Sequence, residues 1–168
     1  MLKVMRVISP SKYGFPIRFR LARLLLGSAE PYFHRDELTG LPTRTALEDL
    51  TRNENGFAVL FIDLDDFKLV NDLLGYAGGD NVIRQVTSNL AQYVRKNDLA
   101  IRWGGDEFVL VLNDTSPRGA AQVANRLRRL LVEKGIGLSI GVGASVTAAQ
   151  HGLKNAKKSG KGCVKAIY

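Results

Sequence analysis

The chain has 168 residues, 45% apolar and 24% charged, the balance of an ordinary soluble protein with one domain and a core. The single cysteine, Cys163, excludes an internal disulfide, and no run of 18 apolar residues offers a membrane-spanning helix. The net charge of +8 is uneven: residues 1–29 and 134–168 each carry six basic and no acidic side chains, while 30–133 hold twelve basic and sixteen acidic ones, a net −4. Carboxylates in the middle and lysines at the end suit a metal-nucleotide site. Solvated or nucleic-acid-binding tails explain the same charge pattern.

Residues 1–35 read as a basic leader. It has no secretory signal, and Pro10, Gly14 and Pro16 break its start. A helix over the basic amphipathic stretch Ile17–Leu26 would pack on the domain, pair with a partner or touch an anionic membrane surface, packing being preferred. Pro42 predicts a helix opening there and running through Leu50. The continuous apolar run from Phe57 to Ile62, ending at Asp63, predicts a buried strand. Val82, Ile83, Val86, Leu90 and Val94 recur at helical spacing and predict an amphipathic helix over about residues 80–95. Leu99–Arg102 and Phe108–Leu112 flank Gly104-Gly105 as a hairpin. Pro117 starts a helix striped by Ala120, Val123, Ala124, Leu127, Leu130 and Leu131. Ile136–Val142 reads as a strand, and Lys154–Lys161 as a last short helix. Strands interleaved with helices, one hairpin among them, predict an α/β fold with a mixed or antiparallel sheet.

Three acidic clusters carry the chemistry: Asp63 with Asp65 and Asp66, Asp80, and Asp106 with Glu107. Asp63 ends an apolar strand, and Asp106 and Glu107 tip an apolar hairpin. If those strands are neighbours, their carboxylates meet at one edge of the sheet. Like charges that close demand a cation or a raised pKa. Mg²⁺ satisfies the first option, because it binds a few carboxylate oxygens and keeps positions for water and phosphate. Gly104 and Gly105 let backbone approach a phosphate with no Cβ in the way. Two unrelated acidic surface loops would give the same spacing.

The run Arg102-Trp-Gly-Gly-Asp-Glu-Phe108 resembles the signature of the GGDEF family of diguanylate cyclases. Asp36-Glu-Leu-Thr-Gly-Leu-Pro-Thr-Arg44 is similar to the family's opening motif, with Thr43 in place of Asn. Phe61-Ile-Asp-Leu-Asp-Asp-Phe-Lys-Leu-Val-Asn-Asp72 resembles its metal and phosphate segment. Gly75-Tyr-Ala-Gly-Gly-Asp80 resembles Gly-His-x-x-Gly-Asp with Tyr76 for His, and Ser139-Ile-Gly141 resembles the late strand. The resemblance spans residues 36–168, with an abbreviated C-terminal part. It implies a palm-like central mixed sheet of about five strands flanked by helices, as in polymerases and nucleotidyl cyclases.

The implied activity is condensation of two GTP into cyclic di-GMP with release of two diphosphates, dependent on Mg²⁺ or Mn²⁺. Asp63, the Leu64 carbonyl and Asp106 would bind metal, and Glu107 would either join them or help deprotonate the ribose 3′-hydroxyl. Asn71 and Asp80 would read guanine, Asp80 accepting from a ring N–H and the exocyclic amine together. As a plain alternative, Asp80 caps the helix that follows. Lys68 and the backbone N–H groups of Asp66 and Phe67 would hold phosphate at a helix start. Lys157 and Lys161 would grip the triphosphate, Lys161 lacking the fork of the family's usual Arg. Arg95 and Asp98 match an inhibitory Arg-x-x-Asp product site.

One domain holds one GTP, so catalysis implies a transient or stable homodimer. No DNA or RNA partner is expected, and the expected location is the cytoplasm. The stretch after the 117–133 helix leaves no room for an extra strand, and the ending Ala149–Lys157 departs from the family's pattern. The rival reading is an inactive module that binds GTP or cyclic di-GMP.

Overall fold

The computed structural model describes residues 34–50 and 56–168. The first 33 residues, including the stretch Ile17–Leu26, lie outside the described residues. Helix α1 (Thr45–Leu50) precedes strand β1 (Phe57–Leu64) and helix α2 (Phe67–Leu90). Strands β2 (Leu99–Gly104) and β3 (Glu107–Asn113) form the hairpin. Helix α3 (Pro117–Glu133), strand β4 (Leu138–Gly143), helix α4 (Val146–Lys158) and strand β5 (Val164–Ala166) complete the order.

The five strands lie in the order β2-β3-β1-β4-β5. β1 is antiparallel to both β3 and β4, and β5 runs parallel to β4, so the sheet is mixed. The position of β1 explains its unbroken apolar run: a central strand covered on both faces has no solvent side to alternate toward. The period of two sorts its side chains. Ala58, Leu60, Ile62 and Leu64 pack with Ile83, Val86 and Leu90 of α2 and Ala124, Leu127 and Leu131 of α3. Val59 and Phe61 join Leu47 of α1 and Ala149 and Leu153 of α4 on the opposite face.

Several elements differ from the sequence expectation. Pro42 does not open a helix. Its carbonyl accepts a bond from the Arg102 N–H at 2.9 Å and its backbone bridges Arg35, so helix α1 begins only at Thr45. Helix α2 starts well before residue 80, because its first turns expose Leu69, Leu73, Leu74 and Tyr76 and therefore show no inward stripe. It bends at Gly75, whose φ of 70° and ψ of 170° interrupt the helical geometry, and it ends at Leu90. Asp80 sits inside this helix, beyond the first turn after the bend, so it is not a cap. Helix α4 begins at Val146, capped by the Ser145 hydroxyl, which accepts from the Ala148 N–H. No strand lies between α3 and β4, and the fifth strand comes after α4 instead.

Glycines set the closeness of α4 to β4. A Cβ on Gly141 would overlap the backbone at Ala149 and Leu153, and one on Gly143 would strike Ala148. No helix among the described residues is long and apolar enough to cross a membrane.

Candidate active site

The ladder β1–β3 pairs Asp63 with Glu107, and the ladder β1–β4 pairs Asp63 with Ser139. The hairpin turn places Asp106 beside them, where its carbonyl accepts from the Leu64 N–H at 3.3 Å. The strand ends thus bring Asp63, Asp106 and Glu107 to one edge of the sheet, as the sequence anticipates. Gly105 makes the turn with φ of 25°, and neither it nor Gly104 has a heavy atom within 4 Å of where a Cβ would stand.

The last turn of α4 contributes Lys157, whose Nζ lies 2.5 Å from Asp63 Oδ1 and 2.9 Å from Asp65 Oδ1. The altered C-terminal motif therefore still delivers its lysine to the carboxylates. Burial pushes the Asp63 carboxyl above the usual carboxylate range, and the neighbouring charges of Asp106 and Asp65 reinforce this against the pull of Lys157. Glu107 is also raised, first by burial and then by the charges of Asp63 and Asp106. Asp65 experiences burial too, but bonds from Lys157, Ser139 and Gly162 outweigh it and hold its carboxyl low. Burial disfavours the Lys157 ammonium, yet Asp63 and Asp65 together raise its pKa.

Among the described residues, no three His, Cys, Asp or Glu side chains form a ready-made metal cage. A hard cation that uses one or two carboxylates and draws its other ligands from water and phosphate does not need one. The repulsion among Asp63, Asp106 and Glu107 fits such a cation, and Asp63 and Asp106 are the residues that would hold it.

The other expected residues are placed as follows. Asp66 takes the left-handed region (φ 55°) at the start of α2, and its carboxylate pairs with Lys161 Nζ at 2.7 Å rather than capping the helix. Phe67 opens the helix and Lys68 is exposed beside it. Asn71 and Asp80 lie on either side of the Gly75 bend. Gly79, next to Asp80, gives way to Asn71: a Cβ there would overlap the Asn71 amide oxygen. The bend thereby brings the Asn71 amide to the neighbour of Asp80, and Asp80 itself is exposed.

Arg95 and Asp98 lie apart from this edge. Asp98 is 5% exposed, and its two oxygens accept the N–H groups of Arg95 and Asn113, each at 2.9 Å. It fastens the turn before β2 to the end of β3. An open cavity of about 280 Å³ adjoins it, lined by Tyr93, Arg95, Asp98, Thr115, Val123 and Arg126. The Arg126 guanidinium lies over the Tyr93 ring, 5.6 Å from its centroid.

Three contributors escaped the sequence reading. Asp65 and Ser139 stood inside quoted motifs without a role, and Arg126 lies in α3, where nothing in the pattern separates it from the other surface arginines. Only the fold joins each of them to its partners.

A five-stranded mixed sheet flanked by helices, with a carboxylate edge and a lysine supplied by the last helix, has the palm-like architecture that the sequence anticipates. Residues 33–163 match the family described as "Diguanylate cyclase, GGDEF domain", and the chain belongs to that family. Over an alignment of 116 residues that covers 66% of this chain and 31% of that protein, the chain is 38% identical to Diguanylate cyclase A of Treponema denticola. The diguanylate cyclase SiaD of Pseudomonas aeruginosa, solved with its activator SiaC, is 31% identical with a TM-score of 0.69, over 79% of this chain and 61% of that one. A microbial GGDEF domain solved for its interaction with bis-(3′,5′)-cyclic di-GMP is 25% identical with a TM-score of 0.70, over 79% of this chain and 96% of that one. The matched stretch covers less than half the length of the first curated relatives.

Proposed function

We propose that the chain is a diguanylate cyclase module that joins two GTP molecules into cyclic di-GMP and releases two diphosphates. The observation that carries this reading is the pairing of Asp63 with Glu107, with Asp106 at the turn and Lys157 from the opposite side. Mg²⁺ or Mn²⁺, held by Asp63 and Asp106 with the Leu64 carbonyl, would neutralise charge on the phosphates as the new ester bond forms.

The chain's own residues do the rest. Asn71 and Asp80 bind the guanine edge. Lys68, Lys157, Lys161 and the backbone N–H groups at the start of α2 bind the triphosphate. Glu107, with its raised pKa, accepts the proton of the ribose 3′-hydroxyl or stays at the metal edge. Each domain offers one such nucleotide, so two copies meet with their sites face to face. The cavity beside Arg95 and Arg126 receives the product and slows the reaction.

The deciding experiment incubates purified protein with GTP and Mg²⁺ and identifies products by mass. Cyclic di-GMP and diphosphate are expected. Binding of GTP or cyclic di-GMP without any product above that of Asp106→Ala would replace this reading with that of a receptor module.

A further inference from the structure

The Lys157 ammonium has two carboxylate partners, and they are not equivalent. Asp63 is the one at the metal edge, with a side chain 22% exposed. Asp65 has a side chain 8% exposed and is tied on every side. Its Oδ1 accepts from Lys157 Nζ at 2.9 Å and from the Ser139 hydroxyl at 2.8 Å. Its Oδ2 accepts from the Gly162 N–H at 2.9 Å. Its own N–H donates to the Gly137 carbonyl at 2.9 Å, and Ser139, wholly buried, also accepts from Gly162.

A carboxylate held by three donors in fixed directions does not turn toward a cation, whereas the Asp63 carboxylate accepts, among the described residues, from the shared lysine alone. The turn held by Asp65 is itself unusual: Gly160, Lys161 and Gly162 all have positive φ, at 101°, 65° and 56°. A non-glycine residue there persists only where its surroundings fix it.

We propose that Asp65 is the positioning residue of the phosphate-binding edge: it retains Lys157 when Asp63 engages a cation, and it fixes the 160–162 turn so that Lys161 faces the same triphosphate. Asp65 acts through the two lysines and touches no substrate. In the absence of cation, Lys157 bridges Asp63 and Asp65. With cation present, Asp63 gives up its share and Lys157 stands between Asp65 and phosphate, so the same ammonium serves both states.

The proposal rests on the reading of this edge as a GTP site. Its test uses 3′-deoxy-GTP, which lacks the nucleophilic hydroxyl and so binds without turnover, titrated by calorimetry in Mg²⁺. Asp65→Asn keeps the shape and loses the charge. It should weaken 3′-deoxy-GTP about tenfold, the loss of a charge-assisted contact, and raise the KM for GTP by a like factor while kcat moves little. Combined with Lys157→Ala, it should add far less than its effect alone, because both changes act on one ammonium. Mn²⁺ titrated without nucleotide should bind Asp65→Asn more weakly than wild type, because Lys157 then has Asp63 as its remaining carboxylate partner, and should bind Lys157→Ala more tightly. If wild type binds the analogue and Asp65→Asn binds it equally well, with only a lower unfolding temperature, Asp65 is a staple of the turn and the proposal falls while the GTP reading stands. If wild type does not bind the analogue, both fall together.

Discussion

One terminal nitrogen of Arg102 lies 2.8 and 2.9 Å from the two carboxylate oxygens of Asp36, and the same guanidinium donates through Nε and its other terminal nitrogen to the Gly105 carbonyl at 3.2 and 2.7 Å. The residue that precedes the hairpin tip therefore ties that tip to the start of the domain. Asp36 is held in turn by the N–H and hydroxyl of Thr39. These bonds and the Arg102 charge outweigh the effect of burial and keep the Asp36 carboxyl below its usual range.

Lysine cannot reproduce this fork, so Arg102→Lys should behave as a loss. We expect about 1.5–3 kcal/mol lower stability in urea, the scale for a hydrogen bond to a charged group. Product formation should fall by more than stability accounts for, because Gly105 adjoins Asp106. Unchanged kcat/KM in a variant shown to be less stable would separate the bridge from the tip's function. The sign with pH follows from the depressed pKa: the Asp36 contribution is full above the unfolded carboxylate value and is lost as pH falls through the folded one.

Glu107 gives the opposite sign. Its pKa is raised by burial, by Asp63 and by Asp106, with Lys157 pulling the other way. Its charge thus costs stability above the folded pKa, and that cost disappears below the unfolded value. Glu107→Gln should stabilise the metal-free protein at neutral pH by a few tenths of a kcal/mol, a small figure because much of the group is open to solvent. The gain should vanish below about pH 4, where the unfolded carboxyl is also protonated. A gain independent of pH would place its origin in packing rather than charge.

Base recognition is best probed at Gly79. Gly79→Ala should displace the Asn71 amide, since a Cβ there overlaps its oxygen. We expect a higher KM for GTP and a weaker preference for guanine over adenine. Asp80→Ala should cost on the order of 1.5–3 kcal/mol in GTP binding, and it should leave the unfolding temperature nearly unchanged because Asp80 is an exposed residue within α2. Normal GTP affinity in both variants would remove Asn71 and Asp80 from the base site.

Feedback should be tested through Arg95 and not through Asp98. Asp98→Ala would strand two part-buried N–H groups and destabilise the fold by about 1–3 kcal/mol in total. Arg95 is exposed, so Arg95→Ala should leave the initial rate intact and weaken inhibition by added cyclic di-GMP. Arg126→Ala should do the same from across the cavity. Equal inhibition of wild type and both variants in progress curves would mean that product competes at the GTP site.

The sheet was legible wherever burial left a continuous or periodic trace. Phe57–Ile62 reads as a buried strand because both faces of β1 are covered, and Ala120 to Leu131 reads as a helix because one face of α3 is. Pro42 misled because its carbonyl pairs with a residue sixty positions away, a tertiary contact that no local preference reports. The first turns of α2 were missed because their leucines face outward. In the site, Asp63, Asp106 and Glu107 were readable from motif and chain order. Lys157 came from the resemblance, but its bond to Asp65 depends on the register of β1 against β4 and on how closely α4 lies to the sheet. The role of Asp98 as a backbone fastener was hidden for the same reason: an Arg-x-x-Asp string does not say where its oxygens point.

The position of β1 also fixes the order in which the site comes into being. Lys157 follows Asp63 by 94 residues, and the strands on either side of β1 are both later in the chain. A polypeptide leaving the ribosome exposes Asp63, Asp65 and Asp66 long before the hairpin, and the hairpin before the lysine. Until α4 has emerged and docked, the carboxylates stand without their ammonium. A nascent chain therefore gathers acidic charge first and acquires the lysine that meets it last, and a chain truncated before α4 would keep the negative edge while losing that ammonium.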